Sequence, residues 1–122
     1  MEKPAYNRFC KNLGHTTHVV QWGGSDVWKI GGKVFAIGAA QDDGAFGVTF
    51  KVSPIAFEFL KEQDGCRPAP YLASRGMKWI QLYTDGGLSD SELKDYLRES
   101  YKLVAAGLSK KTQRDLGLLP GT

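Results

Sequence analysis

Two successive glycines, Gly31-Gly32, separate two runs of strand-forming residues, 26–30 and 33–39. A doublet in that place favours a two-residue primed turn, because both of its central positions need positive φ. The chain is thereby committed to an antiparallel hairpin. The flanking sequence extends it, with a strand over 18–22 closed by Gly23-Gly24 and another over 46–52 after the turn Gln41-Asp42-Asp43-Gly44. The reading is a four-stranded antiparallel meander.

Helices bracket the meander. Residues 2–13 place Tyr6, Phe9, Cys10 and Leu13 on one apolar face, with Pro4 in the first turn and Gly14 after the end. Ser53-Pro54 switches the chain from strand to helix, with Ala56, Phe57 and Leu60 facing inward and Gly65 closing the helix. Residues 67–76 hold two prolines and a glycine and read as an irregular excursion. Residues 77–84 read as a last strand, turned by Asp85-Gly86-Gly87. Ser89 and Glu92 have capping-box spacing ahead of the stripe Leu93, Leu97, Tyr101 and Val104. Gly107 stops that helix, and Ser109 can cap a short terminal one that carries Lys110 and Lys111 in its first turn. The order α-β(3–4)-α-β(1–2)-α predicts a two-layer α+β fold, an antiparallel sheet with helices on one face, in a single domain over 1–122. The other face is expected to be open to solvent or a partner.

Composition bounds the function. Apolar residues make up 42% and charged residues 24% of 122, a globular mix and not a disordered one. No apolar stretch is long enough for a membrane span, and Met1-Glu2-Lys3-Pro4 lacks a signal-peptide core, so a cytoplasmic protein without membrane attachment is expected. The net charge of +3 is compatible with nucleic acid without being diagnostic of it. Cys10 and Cys66 form no CxxC and are expected to be free thiols, Cys10 on a buried helix face.

Side chains alternate along a strand, so the two sheet faces can be sorted. Trp28, Ile30, Val48, Phe50, Val52, Ile80 and Leu82 suit the core. Lys29, Thr49, Lys51, Trp79, Gln81 and Tyr83 then point the other way. The strand over 33–39 is ambiguous: Lys33, Phe35 and Ile37 share one face, Val34 and Ala36 the other. Lysines interleaved with rings are what nucleic acid requires, since phosphates take the charge and bases stack. The competing reading packs Trp79 and Phe35 under the irregular segment.

Other chemistry lacks a complete set of groups. His15 and His18 form HxxH with no third ligand nearby, so no metal site is expected. Cys66 with either histidine has no nucleophile signature. Gly31-Gly32-Lys33 and Asp85-Gly86-Gly87 lack phosphate-loop spacing, and Asp42-Asp43 lacks further calcium ligands. No cofactor and no enzymatic activity are expected.

Several segments in order carry a family resemblance: Ile30-Gly31-Gly32-Lys33-Val34-Phe35-Ala36, Lys51-Val52-Ser53-Pro54, Pro68-Ala69-Pro70-Tyr71-Leu72 before Trp79, and Glu99-Ser100-Tyr101. Together they resemble the MmcQ/YjbR family of small bacterial proteins over nearly the whole chain. Leu13-Gly14-His15 stands where that family usually has Leu-Pro-Gly. The resemblance implies a fold related to secretion-chaperone and frataxin-like architectures and a double-wing, DNA-binding role, although a fold does not fix a function. It carries Lys33, Lys51 and Trp79 over as the basic and aromatic strand positions. Arg67, Arg75 and Lys78 flank the 68–70 segment, which would form one wing. The expected nucleic-acid contacts are thus Lys29, Lys33, Lys51, Arg67, Arg75, Lys78 and Trp79, with double-stranded DNA as partner. A protein partner held by Trp79, Tyr83 and Phe35 is the alternative. Frataxin-like iron handling would want an acidic first helix, and here Glu2 faces Lys3, Arg8 and Lys11.

Overall fold

The computed structural model describes residues 1–70, 72, 75–84 and 86–118; Tyr71 of the Pro68–Leu72 run and Asp85 of the last predicted turn lie outside the described residues. Helix α1 (Lys3–Lys11) carries Pro4 in its first turn and is followed by strands β1 (Thr16–Gln21), β2 (Ser25–Ile30), β3 (Lys33–Ala40) and β4 (Phe46–Lys51). The Ser53 hydroxyl accepts the Ala56 N–H at 3.2 Å and opens α2 (Pro54–Leu60). Strands β5 (Cys66–Pro68) and β6 (Trp79–Leu82) lead to α3 (Asp90–Ala106). The capping box is formed: Ser89 Oγ accepts the Glu92 N–H at 3.1 Å and the Glu92 carboxylate accepts the Ser89 N–H at 2.9 Å. Ser109 caps α4 (Lys110–Asp115). No helix among the described residues is long and apolar enough to cross a membrane.

The described strands make one antiparallel sheet in the order β1-β2-β3-β4-β6-β5. Several boundaries differ from the sequence reading, and three of them have a visible cause. The first strand ends at Gln21, because Trp22 turns with φ +53. The segment expected to be irregular from 67 begins as β5, where Cys66 and Pro68 pair with Leu82 and Ile80. The last strand is confined to Trp79–Leu82, since the Trp79 N–H bonds the Met77 carbonyl at 3.0 Å instead of joining a ladder.

A β-bulge resolves the ambiguity of β3. Lys29 lies opposite Val34 and Trp28 opposite Ala36, which leaves Phe35 as an extra residue. Phe35 and Ala36 consequently both join the helix-side core, where the Phe35 ring meets Tyr101 of α3 edge-on at 5.4 Å. The same core holds Trp28, Ile30, Val48, Phe50, Ile80 and Leu82 from the sheet, against Tyr6, Cys10, Leu60, Leu93, Leu97 and Val104 from the helices. Each large side chain fully withdrawn from water contributes roughly 1.5–3 kcal/mol before ordering costs. Gly38 lets α1 approach: a Cβ there would stand 2.6 Å from the Tyr6 ring and 2.5 Å from Phe46.

Candidate nucleic-acid interface

Strands β2 and β4 finish at the sheet end where β3 and β6 begin, since Ile30 pairs with Lys33 and Lys51 with Trp79. That end carries Lys29 near the close of β2, Lys33 at the start of β3, Lys51 at the close of β4 and Lys78 just before β6. These are four consecutive strands of the sheet. With neighbouring strands about 4.8 Å apart, the lysines form a row about 15 Å across. Lys33 and Lys78 are exposed, and Lys29 and Lys51 are half-buried. Lys33 and Lys51 share one shallow depression with Met77, Trp79 and Leu103, and Lys51 and Lys78 share the next.

The row is held from beneath. Its Lys51 N–H donates to Ser100 Oγ at 2.9 Å, and the Val52 N–H donates to the Lys78 carbonyl at 3.0 Å. The Lys78 ammonium lies 4.8 Å from the centre of the Phe57 ring, a cation–π contact that aims it without neutralising it. The ion pairs among the described residues use other cations, including Lys3–Asp26, Arg98–Asp95 and Lys111–Asp115, and none involves the four lysines.

The remaining sequence-predicted contacts are not in the row. Arg67 Nε donates to Gln81 Oε1 at 2.7 Å, one guanidinium NH2 reaches Gln41 at 3.5 Å, and the group stacks 4.6 Å from the Tyr83 ring centre. It therefore leans toward the opposite end of the sheet. Arg75 borders a groove on the sheet's outer face. Trp79 is only 6% exposed, so its indole is no open stacking platform, and Phe35 is fully buried. Tyr83 is half-buried beneath Arg67. The aromatic surface expected from strand alternation is thus closed, because the 33–39 strand bulges and the rings pack. Ser100, which orders Lys51, was not singled out as a contact by sequence reasoning; a small polar residue on the apolar stripe of α3 was its only signal.

The other candidate groups have structural partners. His18 Nε2 lies 2.8 Å from the buried Asp26 carboxylate, which also meets Lys3 at 3.4 Å, and the imidazole packs against the Trp28 ring, tilted by 35° at a centroid distance of 4.8 Å. Burial pushes the Cys10 thiol up to about 12, and burial with the nearby Glu92 charge pushes Cys66 up to about 11. Both are free, and both are held as thiols at neutral pH, which disfavours nucleophilic use. Among the described residues no three His, Cys, Asp or Glu side chains gather into a metal-binding group.

A single antiparallel sheet, helices on one side and a lysine row across one strand end define a small α+β protein with a polycationic edge. Residues 11–103 match the YjbR family, and the chain belongs to it. It is 30% identical, over 73% of its length and 71% of the relative's, to the uncharacterized protein YbdF of Escherichia coli O157:H7. The crystal structure of Deinococcus radiodurans protein DR2400, with its DUF419 domain, is similar at a TM-score of 0.78 and 25% identity, covering 97% of this chain and 91% of that one. A Pseudomonas syringae protein of known crystal structure shares the fold at a TM-score of 0.69 and 18% identity, over 85% of this chain and 99% of its own.

Proposed function

We propose that this protein binds double-stranded DNA through its phosphates, using Lys29, Lys33, Lys51 and Lys78 as one contact surface. The carrying observation is the register, which sets these four cations on consecutive strands at one end of the sheet. None of them is spent on an ion pair among the described residues. Cations without such partners, aligned at strand spacing, complement a line of phosphate charge. The buried Trp79 favours a duplex over a single strand, since single-strand binding relies on exposed rings for stacking. Arg67, tied to Gln81 and Tyr83, lies outside this contact, and so does Arg75. In this reading the protein is a binder and not a catalyst, and the lysines serve the phosphate backbone, which positions a protein on a duplex without carrying sequence information.

The test is fluorescence anisotropy of a labelled duplex at several salt concentrations, with the wild type and a Lys29→Ala/Lys33→Ala/Lys51→Ala variant. Binding that weakens steeply with salt and is lost in the triple variant is expected. No binding to duplex at low salt removes the proposal, and salt-resistant capture of a protein instead would move the function to a protein partner.

A further inference from the structure

The two edges of the sheet are built differently. At one edge β5 has only three residues, of which Arg67 is a cation and Pro68 lacks a backbone donor. Short edge strands, charges and prolines are the usual means of keeping further strands from pairing. At the other edge β1 has six residues, Thr-Thr-His-Val-Val-Gln, with no lysine, arginine, acid, proline or glycine. It pairs with β2 in unbroken register from Thr16↔Ile30 to Gln21↔Ser25, so no bulge turns it aside. Its one titratable side chain, His18, is committed to Asp26. Val19 and Val20 are 37% and 61% exposed.

The free side of an edge strand is a row of backbone N–H and C=O groups, and what completes it is another extended strand. Among the described residues β1 pairs only with β2. Its own sequence supplies the complement. In an antiparallel pair, residues that face each other are both turned toward the partner or both turned away. Outward-turned groups alternate along β1, so two copies related by a two-fold axis meet only with residues of like parity opposite each other. The axis then lies at a residue, and only an axis at His18 or Val19 pairs five residues within Thr16–Gln21. An axis at His18 would set imidazole against imidazole and each valine against a threonine. An axis at Val19 sets valine against valine, Thr17 against Gln21 and His18 against Val20, with no like charges opposed.

We infer that β1 docks on β1 of a second copy of this chain, with Val19 opposite Val19, and so joins the six-stranded sheet of one protomer to that of its partner. Pairing of one patch with itself about a two-fold axis is the commonest symmetry of soluble oligomers. The strands run antiparallel, so the lysine rows of the two protomers fall at opposite ends of the joined sheet. The dimer therefore does not depend on the DNA reading.

Sedimentation velocity of DNA-free protein over a roughly hundredfold range of concentration reads the equilibrium, because pairing through so short a strand is a small interface that dilution opens. The wild type is expected to pass from one chain to two as concentration rises. Val19→Lys sets two ammonium groups face to face and should hold the protein monomeric, while Val19→Thr should keep the dimer. Crosslinking gives a second readout. Mild oxidation of Val19→Cys should yield a disulfide-linked dimer, since the two cysteines stand opposite each other. Thr17→Cys should not, because its two copies lie about 13 Å apart along the strands. Cys10 and Cys66 are buried, so the wild type serves as the blank. If Val19→Lys disturbs the fold, the two cysteine variants still decide. A wild type that stays monomeric at every concentration, a folded Val19→Lys that still dimerises, or equal crosslinking of the two cysteine variants would each overturn the proposal.

Discussion

The Ser100 hydroxyl of α3 donates to the Phe35 carbonyl of β3 at 2.6 Å, a contact spanning 65 residues of chain. The same oxygen accepts the Lys51 N–H of β4 at 2.9 Å. Beside the Ala36–Phe50 pair, a regular antiparallel ladder would join Phe35 C=O and Lys51 N–H directly. The bulge at Phe35 parts them, and the Ser100 oxygen occupies the gap. Ser100 is fully buried, so no water is at hand to replace it. Ser100→Ala would strand a buried donor and a buried acceptor, at about 2–3 kcal/mol. The expected result is a lower urea midpoint with unchanged m-value. An equally stable Ser100→Ala variant would show that the strands close up without the bridge.

Each lysine of the row that touches a phosphate contributes one unit to counterion release. Lys33→Ala and Lys51→Ala should each reduce the slope of log K against log salt by about 0.9, and the pair by about twice that. Arg67→Ala should leave the slope unchanged, since Arg67 is committed to Gln81 and the Tyr83 ring. The measurement is duplex binding over 50–200 mM salt, and an Arg67→Ala slope change equal to that of Lys51→Ala would displace the contact surface.

Local features of this fold are legible in the sequence, and long-range ones are not. The Gly31-Gly32 turn and the Ser89/Glu92 capping box are decided by residues within four positions of each other. Alternation sorts β2 and β4 correctly, because each presents one face to helices. Alternation fails in β3, where both registers place apolar residues inward and the choice involves Ser100 in a distant helix. β5 is masked by Pro68, which is tolerated there because β5 is an edge strand. The lysines themselves are visible in the sequence. Their shared end follows from β6 lying beside β4, a neighbour relation that no local spacing encodes. Arg67 and Trp79 were expected in the interface for want of the same information. Gln81, Gln41 and Tyr83 hold the one, and packing buries the other.

Buried acids, Tyr6 and Cys10 foremost among them, make the protein sensitive to base. The Tyr6 hydroxyl donates to the Asp26 carbonyl at 2.9 Å, and burial raises its pKa well above 10.0, with smaller contributions from Cys10 and Asp26. Burial raises Cys10 from 9.0 to about 12. Both folded values exceed the unfolded ones, so the folded chain keeps protons that the unfolded chain releases. Their stabilisation is complete below about pH 9 and declines as pH rises toward the folded values. The melting temperature should therefore hold from neutral pH to about 9 and fall beyond it. Tyr6→Phe should lower it at neutral pH by the loss of one hydrogen bond, about 1 kcal/mol, and flatten the alkaline decline. Thermal melts across this pH range check the sign; an unaltered decline in both Tyr6→Phe and Cys10→Ala would assign it to other groups.

The turn that joins Lys29 to Lys33 sets backbone preference against packing. Gly31 and Gly32 have φ of +59 and +80, matching a primed turn whose first position ordinarily accepts asparagine. Packing opposes that substitution, because a Cβ on Gly31 would stand 2.6 Å from a Leu108 methyl, whereas one on Gly32 meets nothing within 4 Å. Gly31→Asn should therefore destabilise, by roughly 1–2 kcal/mol, where the turn alone would tolerate it. Gly32→Asn should cost less, since only its positive φ is at stake. Truncating the obstacle with Leu108→Ala should make Gly31→Asn nearly neutral, a coupling of roughly 1 kcal/mol in a double-mutant cycle. Urea unfolding of the four proteins measures it. Strictly additive losses would mean that Leu108 moves aside freely and that the terminal segment does not fix the hairpin tip between these two lysines.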